Sequence, residues 1–186
     1  MTGLSAGVLL MGEGGKSTFL VPSHLAFGSA TGTLGGVFIP ENSIVILEVE
    51  LKDVRSLTEQ EQVEDEIIKS YITNNDLTTT SDSLGVYRII LEDGDTTRFT
   101  DLENITVSYS GSVLNGEVFD SSENFSFILN GTNLISGWNI GVGMMHKKEK
   151  ALIIIPSHRA YGASGSGSTG SIPPFTPIIF TIEILN

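Results

Sequence analysis

The sequence predicts an α+β fold: a curved antiparallel β-sheet with one short helix across its concave face, preceded by a partial repeat of the same unit. Three observations predict it. From Gly85 onward, short β-rich runs are separated by tight turns. Residues 133 to 145 carry apolar side chains at spacings of three and four. Gly3 to Gly28 align without a gap on Gly137 to Gly162, with ten identities in twenty-six positions.

The repeat organises the first part of the chain. Gly3 falls on Gly137, Gly7 on Gly141, Met11 on Met145, and Pro22-Ser23-His24 on Pro156-Ser157-His158. After a one-residue change of loop length, Ile39-Pro40 falls on Ile172-Pro173 and the strand Ile44 to Leu51 on Pro177 to Ile184. Projected backwards, Met1 falls on Ile135, so the first copy has no counterpart of residues 85 to 134. It reads as half a module. A fragment of a longer tandem protein is favoured over a half-module packed on a partner, because the unpaired strands of half a sheet are a liability that chains usually cover.

Next, Thr58 and Glu61 have the spacing of a capping box and predict a helix start. Val63, Ile67, Ile68, Tyr71 and Ile72 form one apolar stripe on this acidic helix, and Asn74-Asn75-Asp76 ends it. Such a stripe needs a surface to cover. Thr78 to Ser83, polar and rich in Thr and Ser, reads as a linker. Strands then follow at Val86 to Leu91, Ile105 to Val113, Glu117 to Asp120 and Phe125 to Leu129, with turns at Glu92 to Asp95, Leu114-Asn115-Gly116 and Asn130-Gly131. Leu134, Ile135, Trp138, Val142 and Met145 line one face of the short helix, and Ala151 to Pro156 and Ile178 to Ile184 supply two closing strands.

Composition excludes several functions. With 186 residues, 40% of them hydrophobic, the chain can bury a core, yet no run approaches the roughly 18 apolar residues of a membrane helix. Twenty-two acidic against ten basic residues give a net charge of −12, which repels nucleic acid and anionic headgroups. The absence of cysteine excludes disulfides and cysteine-bound zinc, and leaves cytosolic and periplasmic homes open. The first residues lack the basic start of a signal peptide. His24, His146 and His158 have no metal-ligand spacing, and no Walker-type loop occurs, so neither metal nor cofactor is expected.

The stretches VSYSGSVLNGEVFDSS (107 to 122), FSFILN (125 to 130), LISGWNIGVGMM (134 to 145), IPSHRAYGA (155 to 163), SIPP (171 to 174) and IIFTIEIL (178 to 185) together resemble the FKBP-type peptidyl-prolyl cis-trans isomerases, in order and over nearly the whole second module. The resemblance implies a strongly twisted antiparallel sheet of five or six strands wrapped around one short helix. It divides the chain into the C-terminal half of a degenerate repeat (1–56), an acidic helix and linker (57–82) and a complete isomerase domain (83–186). It implies catalytic roles for Tyr109, Asp120, Ile135 and Tyr161. Phe119, Phe125, Leu134, Trp138, Ile172 and Phe180 would bind the substrate proline, with Trp138 as pocket floor and Phe119, Phe125 and Phe180 as walls. The Ile135 amide and Tyr161 hydroxyl would donate to peptide carbonyls, with Asp120 near the turning imide. The implied partners are proline-containing polypeptides, with FK-type macrolides as a further ligand class.

Departures from the family pattern matter too. The loop from Asp120 to Phe125 is short and lacks the arginine that often pairs the pocket aspartate, so Asp120 is expected to be less firmly held. The loop from Ala163 to Ser171 is long and rich in Gly and Ser, and Lys147-Lys148-Glu149 replaces a glycine-bearing turn. In the first copy Leu4, Phe27 and Leu47 stand where the second has Trp138, Tyr161 and Phe180, which implies a weak or inactive first module. The alternative reading is a non-catalytic peptide-binding, chaperone or scaffold module of the same fold. The acidic helix followed by SLGVYRIILEDGDT resembles multi-module envelope lipoproteins of the Bacteroidota, which implies a periplasmic or cell-envelope home.

Overall fold

The computed structural model describes residues 1–131, 133–166 and 172–186. It divides into two compact units, Met1–Ser56 and Leu57–Asn186. Among the described residues no helix is long and apolar enough to cross a membrane.

The first unit holds helix α1 (Thr2–Val8), strand β1 (Lys16–Val21), a small hairpin of β2 (Gly32–Leu34) and β3 (Val37–Ile39), and β4 (Val45–Glu50). Among the described residues β1 and β4 pair only with each other, antiparallel, from Lys16 opposite Glu50 to Val21 opposite Val45.

The second unit begins with helix α2 (Leu57–Asn74), followed by β5 (Ser81–Ser83), β6 (Val86–Glu92), β7 (Asn104–Val113), β8 (Val118–Ile128), helix α3 (Ser136–Gly143), β9 (Lys150–Ile155) and β10 (Ile178–Ile184). The strands form one antiparallel sheet in the order β5-β6-β9-β10-β7-β8. The α+β architecture read from the sequence is the observed one.

The duplicate is structural as well as textual. β9 and β10 pair from Lys150 opposite Glu183 to Ile155 opposite Ile178, the register of β1 and β4 residue for residue. Even an ion pair recurs: Lys16 lies 3.4 Å from Glu50, and Lys150 lies 3.8 Å from Glu183. The repeated glycines have a packing reason. A Cβ on Gly137 would lie 2.2 Å from the Ile155 side chain, and one on Gly141 would lie 2.4 Å from Ile153, so α3 approaches β9 over bare backbone. In the first copy the same positions, Gly3 and Gly7, press on Val21 and Phe19.

The centre of the second unit's sheet, β9 and β10, is buried on both faces. Ala151, Ile153 and Ile155 of β9 and Ile178, Phe180, Ile182 and Ile184 of β10 face a core shared with Trp138, Val142 and Met145. Their neighbours Leu152, Ile154 and Ile179 face the other side, where Tyr87, Ile89 and Ile68 of α2 join them. This is why Ala151 to Ile155 reads as an unbroken apolar run instead of an alternating one. Here lies the surface that the α2 stripe covers: Ile68, Tyr71 and Ile72 pack on it, while Ile67 stays exposed. The helix set apart in the sequence as a connector is thus part of the sheet's packing, and Ser81–Ser83 of the expected linker is the edge strand beside β6.

Two further details differ from the sequence reading. α2 starts at Leu57, one residue before the expected cap. β8 is one strand where two were expected, because Ser121 and Ser122 keep pairing with β7 across register shifts at this solvent-facing edge of the sheet. The turn at Lys147-Lys148-Glu149 is held from within. Lys148 takes the left-handed conformation (φ 61°) that a glycine would adopt readily. The buried Glu149 carboxylate accepts the His146 amide at 3.1 Å and faces Arg88 Nε at 3.4 Å.

Candidate active site

Six elements bring one cavity together in the second unit. β7 contributes Tyr109, β8 contributes Asp120 and Phe125, and β10 contributes Phe180. The segment entering α3 supplies Asn133, Leu134 and Ile135, the first turn of α3 supplies Trp138, and the stretch after the Pro156-Ser157-His158 turn supplies Tyr161. The cavity measures about 350 Å³.

Its walls are rings set edge to face. The Trp138 centroid lies 4.9 Å from Phe180, 5.1 Å from Tyr109, 5.6 Å from Phe127 and 6.1 Å from Phe125, all near perpendicular. Such pairs place ring edges on ring faces and are favourable beyond their buried area. Trp138 lines the cavity yet is only 4% exposed, so it belongs to the core as well, and its buried indole nitrogen has no hydrogen-bond partner among the described residues. Gly111 makes room above the sheet: a Cβ there would lie 2.5 Å from Phe180 and 2.9 Å from Phe119.

Polar groups sit at the opening. Tyr109 donates its hydroxyl to Asp120 at 2.7 Å, so the aspartate has a fixed partner despite the missing arginine. Burial, then the bond to Asp120, pushes the Tyr109 hydroxyl up to about 12 from the ordinary 10.0. Burial and the Asp120 charge likewise raise Tyr161, which is 36% exposed. Ile135 caps α3, and its carbonyl accepts the Trp138 amide at 3.1 Å. Its own N–H is among the first N–H groups of the helix, which have no intrahelical acceptor.

These raised values have a consequence at alkaline pH. A tyrosine whose folded pKa lies above its unfolded one stabilises the fold fully below the unfolded value and loses that contribution as pH rises through the folded value. Stability contributed by Tyr109 is therefore expected to hold up to about pH 10 and to decline towards pH 12. A tyrosinate absorbance titration in step with a circular-dichroism melt checks this. Ionisation of every tyrosine near pH 10 with the fold intact would contradict it.

Eight of the ten residues singled out in the sequence line the cavity. Phe119 stands behind Phe180, 5.7 Å away edge to face, and Ile172 is buried in the core; neither lines it. Asn133 was not foreseen. Ser171 and the stretch 167–170 of the long loop lie outside the described residues, but the loop is closed at its base, where the Ser166 amide bonds the Ile172 carbonyl at 3.0 Å.

A second unforeseen group holds the approach to Tyr161. Glu64 of α2 is 1% exposed, and its carboxylate accepts both the Ser157 amide and the Ser157 hydroxyl at 2.7 Å, with Gln60 donating to it at 3.2 Å. Among the described residues no group of three or more His, Asp or Glu side chains is placed to hold a metal ion. The arrangement offers an apolar slot with a few fixed polar atoms at its rim, a binder and not a nucleophile.

Comparison with known proteins agrees with this geometry. The sequence pattern of the family described as FKBP-type peptidyl-prolyl cis-trans isomerase matches residues 1–52 and 95–185. The chain is 38% identical over 86 residues to FK506-binding protein 1 of Dictyostelium discoideum, a match covering 44% of this chain and 78% of that one. Among solved structures it is similar to a peptidyl-prolyl cis-trans isomerase of Pseudomonas syringae pv. tomato, with a TM-score of 0.58 and 29% identity over 72% of this chain and 98% of that one. It is also similar to FkpA of Escherichia coli, with a TM-score of 0.57 and 28% identity over 69% of this chain and 59% of that one.

Proposed function

Because the chain belongs to the FKBP-type peptidyl-prolyl cis-trans isomerase family, we propose that the aromatic cavity of its second unit is where it accelerates rotation about X-Pro bonds. One observation carries the assignment: Tyr109, Phe125, Trp138 and Phe180 converge on a single slot that also presents Asp120, Tyr161 and the Ile135 cap.

The chemistry asks little else of a protein. Rotation about an X-Pro bond faces a barrier of roughly 18 to 20 kcal/mol because twisting breaks amide resonance, and no bond is made or cut. A site lowers that barrier by holding the ring, stripping water from the imide, and fitting the twisted form better than either planar form. In this reading Trp138 is the floor under the pyrrolidine ring, and Phe125 and Phe180 are the walls. The Ile135 amide and the Tyr161 hydroxyl orient the peptide through its carbonyls. Asp120, steadied by Tyr109, faces the imide as it turns. Phe119 and Ile172 support Phe180 and the loop from behind.

The reading is tested by a protease-coupled assay on a short proline peptide, in which the full chain should accelerate isomerisation. An FK-type macrolide, the ligand class that the relatives' names carry, should compete. Tyr161→Phe is expected to reduce kcat/KM about two- to tenfold, since one hydroxyl bond contributes about 0.5 to 1.5 kcal/mol net. Complete loss in a folded variant would give the hydroxyl more than an orienting role. No acceleration by the parent would favour the non-catalytic peptide-binding reading.

A further inference from the structure

Beside the proline cavity lies a larger groove, about 810 Å³, that shares three of its residues. Phe125, Asn133 and Leu134 form the ridge between the two, and Leu102, Phe127 and Ile128 are the apolar residues beyond it. We propose that this groove is a second substrate subsite, which receives an apolar side chain of the same polypeptide whose proline occupies the aromatic cavity. The proposal rests on the isomerase reading above.

Three observations point to that occupant. The first is continuity. A polypeptide with its proline in the slot must leave it in two directions, and one of them crosses Phe125, Asn133 and Leu134, which line both the slot and the groove. The second is Leu102 itself. It is 72% exposed and holds φ at 63°, a region that a residue bearing a Cβ enters at a cost and that Gly or Asn takes more readily. A single exposed leucine means little. At that place Leu102 stands across from Ile128, itself 51% exposed, and the two give the groove an apolar open side that a ligand side chain can cover.

The third observation is that the groove is built before anything enters it. The Leu102 amide bonds the Leu129 carbonyl at 3.2 Å, which fastens its turn to the end of β8. Asn130 donates to Asp101 at 2.6 Å and ties the two rims together. Glu103 accepts the Thr100 amide and hydroxyl at 3.0 and 3.2 Å and pairs with Lys147 at 2.5 Å. A preformed apolar groove binds without first ordering its own walls, which is what a specificity subsite needs.

The test uses the full chain and proline peptides in which one leucine is moved, position by position, along either side of the proline. One register is expected to raise kcat/KM on the order of tenfold over the leucine-free peptide, the scale of burying one such side chain. The variant Leu102→Asn/Ile128→Thr, chosen because Asn suits a left-handed turn and Thr a strand, should lose that gain. It should keep the parent's kcat/KM on the leucine-free peptide. A gain at no register, or one that survives in the double variant, overturns the subsite. No turnover of any peptide by the parent overturns the isomerase reading, and the subsite with it.

Discussion

Trp138→Leu is expected to cut isomerase activity by roughly thirtyfold while the second unit stays folded. The ring is in contact distance of four other aromatic rings and forms the floor of the slot, so leucine removes both the surface under the proline ring and the faces on which Tyr109 and Phe180 rest. A loss of about 2 kcal/mol of transition-state contact corresponds to that factor. The same change should cost about 2 to 4 kcal/mol of stability, less than truncation to alanine because leucine refills part of the volume. Leucine is tolerated at this place in principle: Leu4 holds it in the first copy. Urea unfolding and the protease-coupled assay on one preparation separate the two effects. As the chain has a single tryptophan, its fluorescence also reports binding directly. Unchanged turnover in a folded variant would move the active site elsewhere.

Glu64→Leu is expected to be the most destabilising change outside the core, at about 3 to 5 kcal/mol. The reason is an asymmetry. Removing the carboxylate leaves the Ser157 amide buried without an acceptor, and no side-chain substitution at 157 other than proline can remove a backbone N–H. Each buried bond to a charged acceptor contributes about 1.5 to 3 kcal/mol, and the two from Ser157 are lost along with the weaker, part-buried one from Gln60. Glu64→Gln keeps one acceptor oxygen and should cost less. Glu64→Leu combined with Ser157→Ala should cost less than the sum of the two single changes, because the hydroxyl is then lost only once. Denaturant melts of the four proteins measure this, and strict additivity would show that the two residues do not act as a pair. Tyr161 follows Ser157 by four positions, so Glu64→Leu should also weaken the hold on the slot's entrance while the unit is still folded.

Much of this was legible in the chain because the repeat and the strands advertise themselves by spacing. The paired glycines 137 and 141 recur as 3 and 7 because backbone contact tolerates no Cβ, and a constraint that strict survives degeneration. The ring positions could be read only jointly, through family resemblance, since any one phenylalanine of a sheet reads as core. That is also why Phe119 reads as a wall, although it packs edge to face on Phe180 and does not line the slot. The role of α2 was half legible: its stripe signals that a surface is covered, but periodicity carries no address for that surface. Glu64 was not legible at all. A carboxylate on an acidic helix reads as solvated, and only the placement of Ser157, 93 residues away, turns it inward. Asn133 belongs to a turn, where neither period applies.

The strand that joins the two parts of the sheet is also the last of its strands in chain order. β10 bonds β9 along one edge and β7 along the other. Until Ile178–Ile184 leave the ribosome, the β6–β9 ladder and the β7–β8 hairpin are separate pieces with their inner edges open. The pairings that close the sheet join residues 65 to 77 positions apart, and contacts so distant form slowly because the loop between them must be ordered first. Closure of the sheet is therefore a single late step, and the slot, whose wall Phe180 sits on the closing strand, comes into being only with it.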